Sequence, residues 1–135
     1  MDRERRVRLG FGITNVFVAL VAYLGIFRGL PSRWAPVDVL GVVVIALMAS
    51  SGIGLIANRR GADMLARAAA LVVLGIGMLL FAALVLTASW LGGVYGPVGR
   101  GGALIFFLVA AMVLPYGILI PAAELLWLGP MPKKR

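Results

Sequence analysis

Residues Gly102–Leu128 read GALIFFLVAAMVLPYGILIPAAELLWL, with Glu124 as the single charge. At 1.5 Å per residue, a helix of this length crosses the ~30 Å apolar layer of a bilayer. The stretch also holds Pro115 and Pro121. A helical proline lacks the N–H that would bond the carbonyl four residues earlier, so Ala111 and Gly117 are expected to lose those partners. Freed carbonyls build ion and substrate sites in some transporters, and proline is also a plain kink in many membrane helices. Pro115, Tyr116 and Pro121 are therefore candidate pathway or kink residues.

Three simpler apolar runs precede this one. The first is Leu9 to Phe27, the second Val39 to Ala57, and a third lies in the uncharged stretch from Ala68 to Gly99. Apolar residues make up 62% of the chain, against about half in soluble domains. The expected fold is an all-α, integral membrane four-helix bundle running up-down-up-down. It fills 1–135 as a single transmembrane domain, with helices near 9–28, 38–58, 63–91 and 102–128. A basic start before an apolar run also describes a signal peptide. The run ends at Phe27-Arg28 without an Ala-x-Ala site, which favours a retained first helix.

The connections carry their own signals. Pro31 and Pro36 break residues 28–38, and Asp38 is placed to cap the second helix. In NRRGAD (58–63), Gly61 is placed to end that helix and Asp63 to cap the third, which makes an antiparallel hairpin. Gly92, Gly93, Gly96 and Pro97 predict an exposed, mobile loop over 91–102. GPVGRGG (96–102) lacks the Lys-Ser/Thr of a phosphate-binding loop. Gly75 and Gly77 in the third helix read as points of close packing.

The net charge is +8, and the basic residues cluster at the ends of the apolar runs. That is the pattern of topology signals rather than of a nucleic-acid surface, and no nucleic-acid partner is expected. With the N-terminus inside, ten of the thirteen Lys and Arg face the cytoplasm: Arg3, Arg5, Arg6, Arg8, Arg59, Arg60, Arg67, Lys133, Lys134 and Arg135. Arg28, Arg33 and Arg100 face outward. The expected topology is N-in, C-in, with Trp34 and Trp90 at the outer interface and Trp127 at the inner one. Arginine far outnumbers lysine, a mark of GC-rich genomes, and a bacterial inner membrane is the expected location.

The chain has no Cys and no His. This removes disulfides, thiol chemistry, the usual zinc and haem ligands and the usual general base near neutral pH. No nucleophile stands beside a base in any span, so no catalytic, cofactor-binding or metal residues are expected. In length and helix number the chain is similar to the small multidrug resistance transporters. The first-helix glutamate of that family has no counterpart between Leu9 and Phe27, and no family is assigned.

A carboxylate inside an apolar layer costs a few kcal/mol and needs partners. Counted from the inner helix ends, Asn15 lies about 9 Å deep, Ser51 roughly 9–10 Å and Glu124 about 6 Å. The expectation is one polar cluster of Asn15, Ser51 and Glu124, closed from below by Arg67 or Arg60, with Tyr116 two turns above Glu124. On the second helix, Ala46, Ser50 and Gly54 form a strip of small residues at four-residue spacing, a candidate helix-packing face.

Two functions fit these features. One is an accessory, assembly or structural subunit of a larger membrane complex. The other is an oligomeric small-molecule or ion transporter or channel with a site around Glu124. Partners are the lipid bilayer and either a second membrane protein or further copies of the chain.

Overall fold

The computed structural model describes residues 3–29 and 35–128. The expectations for Pro31, Arg33, Trp34 and the basic tail at 133–135 fall outside them. The described residues are helical almost throughout and contain no strand. Helix α1 spans Arg3–Leu24 and runs into a π-helical turn, Gly25–Gly29. It is followed by α2 (Ala35–Ile56), α3 (Ala62–Val94) and α4 (Gly96–Val113). A second π-helical segment, Leu114–Leu119, leads into α5 (Ile120–Trp127). Four continuous segments among these residues are long and apolar enough to cross a membrane: Arg3–Gly29, Ala35–Ile56, Ala62–Val94 and Gly96–Trp127. The fold class is that of an all-α four-helix membrane protein.

Several helix ends differ from expectation. The first helix starts at Arg3, within the basic segment, rather than at Leu9. The second starts at Ala35, so Pro36 and Asp38 lie in its first turn and Asp38 is not its N-cap. Proline is at home there because the first N–H groups of a helix have no acceptor within it. The 91–102 segment is helix, not a mobile loop. The third helix continues through Gly92 and Gly93 to Val94, and Tyr95 alone links it to α4. Gly96 reverses the chain at φ +56°, and Pro97 occupies the first turn of α4. A glycine inside a helix costs only about 1 kcal/mol, which apolar surroundings readily offset.

The α2–α3 turn follows a Schellman pattern. Asn58 takes φ +51°, its N–H donates to the Leu55 carbonyl at 3.2 Å, and the Arg59 N–H donates to the Gly54 carbonyl at 3.1 Å. Asn58, rather than Gly61, is thus the left-handed residue that ends α2, and Gly61 (φ +84°) lies just before α3. Asp63 is the second residue of α3 and accepts hydrogen bonds from Arg8 instead of capping the helix.

The described chain forms two compact units. The first comprises residues 3–29, 35–72 and 124–128, the second 73–123. In the first unit α1 and α2 touch backbone to backbone. A Cβ built on Gly52 would lie 2.7 Å from the Gly12 carbonyl oxygen, and one on Gly12 would lie 3.0 Å from the Gly52 carbonyl oxygen. This pairing sets the rotation of α2. Its buried residues are Gly41, Met48, Ser51, Gly52 and Leu55. Leu55 joins Ala62, Ala66 and Leu128 in an apolar cluster edged by Phe11.

The expected packing strip is corrected by this rotation. Ala46 and Ser50 are exposed, and the Ser50 hydroxyl bonds to its own helix at the Ala46 carbonyl, 2.6 Å away. Gly54 is half-buried at the hairpin turn, where an added Cβ would lie 3.2 Å from Ala62 Cβ.

The second unit has its own close approach. Gly77 of α3 packs on the backbone of Gly117, and an added Cβ there would collide with the Gly117 carbonyl. At Gly75 an added Cβ would meet nothing within 4 Å. The prolines do not break the final span. The chain widens into a π-turn in which the Ile120 N–H donates to the Pro115 carbonyl. π-Turns absorb an irregular backbone pattern within a helix. At the far end of this unit the Trp90 and Tyr95 rings meet edge to face, with centroids 6.0 Å apart.

Candidate polar site

The site is built from the glycine contact outward. Asn15 stands one turn after Gly12 on α1, and Ser51 directly precedes Gly52 on α2. With two hydrogens in place of side chains between them, the helices come close enough for their polar groups to meet. Asn15 Nδ2 donates to Ser51 Oγ at 3.3 Å and to Glu124 Oε1 at 2.8 Å. Ser51 Oγ in turn donates to the Met48 carbonyl at 3.0 Å. All three side chains are fully buried at 0% exposure. Glu124 reaches this place from α5, and its carbonyl accepts the Leu128 N–H at 2.9 Å as the helix ends.

A buried carboxylate is normally paired. Among the described residues Glu124 has no ion pair. The arginines expected to close the cluster do not join it: Arg60 is exposed, and Arg67 is half-buried with its Nε lacking a partner. Two atoms of the trio are buried without a hydrogen-bond partner, Asn15 Oδ1 and Glu124 Oε2. Both are acceptors.

The first unit holds a second polar network, which sequence reasoning missed. Arg8 Nε and Nη2 donate to the two Asp63 carboxylate oxygens at 2.9 and 2.7 Å, and Nη1 donates to Asn58 Oδ1 at 2.5 Å. The start of α1 is thereby tied to the α2–α3 turn. The available signal was topological, since both segments belong to the side expected to be richer in Lys and Arg. The Gly12–Gly52 contact was also missed, although Gly12 lies one turn before Asn15 and Gly52 directly follows Ser51.

The remaining candidates lie elsewhere. Pro115 and Tyr116 are half-buried in the π-segment, and Pro121 is buried on α5. Thr14, Ser50, Thr87 and Ser89 each donate to the carbonyl four residues back in their own helix. No cluster of three or more His, Cys, Asp or Glu occurs among the described residues. Among the described residues, the polar side chains at 0% exposure are those of Asn15, Ser51 and Glu124.

These features define a multi-pass, all-α membrane protein with a sealed polar trio in one helical unit. The chain matches no protein-family model, no curated protein and no solved structure.

Proposed function

We propose that the chain is a small accessory or assembly subunit that packs in the membrane against a larger membrane complex. The supporting observation is the disposition of polar side chains within the spans. One group is sealed at 0% exposure, and the outward hydroxyls are satisfied by their own helices. A transport pathway needs a succession of polar groups open to water. A packing subunit needs apolar, Gly- and Ala-rich faces that let helices approach, and this chain has them.

In this reading the protein resides in a bacterial inner membrane with both termini in the cytoplasm. The ten-to-three distribution of basic residues supports that orientation. The Arg8–Asp63 and Arg8–Asn58 bonds hold the start of α1 and the α2–α3 turn at one end of the first unit, as an up-down arrangement of the first two helices requires in either orientation. The role involves no enzymatic step. Extraction of the native membrane in a mild detergent, followed by mass spectrometry, tests the proposal. A different membrane protein should co-purify in fixed ratio, and recovery of the chain alone or only with copies of itself rejects it.

A second reading, an oligomeric ion or small-molecule transporter, draws on the unpartnered oxygens of Glu124 and Asn15. Flux through proteoliposomes containing only this chain would favour it.

A further inference from the structure

The trio has used every donor it owns. Both Asn15 amide hydrogens are spent, one on Ser51 and one on Glu124, and the Ser51 hydroxyl hydrogen is spent on Met48. What remains is acceptor capacity: Asn15 Oδ1, Glu124 Oε2 and one lone pair on Ser51 Oγ. These oxygens come from three helices, α1, α2 and α5, and all three side chains are at 0% exposure. With the negative charge of the carboxylate, the cluster has, among the described residues, neither a bonded positive charge nor a donor for its free oxygens.

Among the described residues, no charged side chain bonds to the trio. From Val39 to Ala57, α2 has no ionisable residue. On α1, Arg8 is committed to Asp63 and Asn58. On the part of α3 in this unit, Asp63 is committed to Arg8, and Arg67 makes no ion pair among the described residues.

We propose that Asn15, Ser51 and Glu124 form a binding site for one small monovalent metal cation, of sodium size. Amide carbonyl, carboxylate and hydroxyl oxygens are hard ligands, suited to hard cations rather than to metals that prefer nitrogen or sulfur. One carboxylate balances one positive charge. A divalent ion would leave an excess charge in a low-dielectric interior, where uncompensated charge is expensive. The bound ion would join three helices whose polar side chains otherwise meet here through one amide group. The site is independent of whether the chain serves a larger complex or acts by itself.

A ligand that binds only the folded state raises its stability, by about 1.4 kcal/mol for each tenfold rise in free concentration above half-saturation. The test uses the purified full chain in detergent, unfolded thermally at fixed pH. Sodium chloride is varied against choline chloride or potassium chloride at constant ionic strength. The midpoint should rise with sodium by several degrees per decade, and choline should have no such effect. Glu124→Gln removes the charge and supplies amide donors in place of the cation, so it should unfold at a sodium-independent midpoint. Ser51→Ala trims one ligand and should raise the sodium concentration needed for half the effect several-fold. That variant decides the matter if Glu124→Gln fails to fold. An equal response to all three salts, or none, overturns the site. A midpoint that moves with pH but not with sodium also overturns it and assigns the positive charge to a bound proton.

Discussion

Gly12 and Gly52 lie so close that a Cβ on Gly52 would fall 2.7 Å from the Gly12 carbonyl oxygen and 3.0 Å from the Val16 backbone nitrogen. Both neighbours are backbone atoms and cannot rotate away. Gly52→Ala should therefore force α1 and α2 apart and cost about 1–3 kcal/mol, the usual range for overpacking. Ser50→Leu, two residues away, points outward and should leave the thermal midpoint in detergent nearly unchanged. If Ser50→Leu proves the more damaging, α2 is rotated differently from this structure.

The helices were legible because apolar runs of bilayer length are hard to accommodate in any other way. The face of α2 was not. Small residues recur on more than one side of that helix, at Ala46, Ser50 and Gly54 and again at Gly41, Ser51 and Gly52. Which side packs depends on a partner backbone, here Gly12, and one helix read alone carries no such information. Rise per residue placed Asn15, Ser51 and Glu124 at similar depth, with Arg67 just below them. Depth does not specify angle around the helix, and no bond joins Arg67 to the others. Helix ends suffered from reading Gly92-Gly93 and Pro36 as breakers, when both are tolerated at or near a helix terminus.

The Asn15–Glu124 hydrogen bond links residues 109 positions apart. Glu124→Gln retains an oxygen to accept from Asn15 and should be the milder change. Glu124→Leu leaves a buried Asn15 N–H without its acceptor, at a cost of about 1–3 kcal/mol. Thermal unfolding of both variants at one sodium concentration checks the order. Equal loss in both would mean that the charge, not the hydrogen bond, matters at this position.

Arg8 grips Asp63 with two nitrogens, and the side chains are only 24% and 13% exposed. A forked contact of this kind depends on the planar guanidinium. Arg8→Lys keeps the charge but loses the fork, and it should lower stability by about 1 kcal/mol. In a double-mutant cycle, Arg8→Lys and Asp63→Asn together should cost little more than either alone. Full additivity would show that the pair does not cooperate.

Because the chain has no Cys, single introduced cysteines report topology without background. Cysteines at Ser32 and Gly93 should react with an impermeant thiol reagent added from outside intact cells. One at Gly61, in the turn held by Arg8, should react only after the membrane is opened. The reverse pattern would invert the proposed orientation.

Gly75 and Gly77 are two residues apart in α3 and should respond oppositely to the same substitution. An alanine methyl at Gly75 would meet nothing within 4 Å, so it brings only the gain in helix propensity. Gly75→Ala should therefore stabilise by about 0.5–1 kcal/mol. At Gly77 the methyl would collide with the Gly117 carbonyl and lie 2.9 Å from Gly117 Cα. Because Pro121 supplies no N–H, it also removes the ordinary helical donor to that carbonyl. Gly77→Ala should lose stability by roughly 1–3 kcal/mol through overpacking, more than its propensity gain returns. Thermal unfolding of the two single variants in one detergent gives the comparison. If both stabilise, α3 does not contact the π-segment at Gly117.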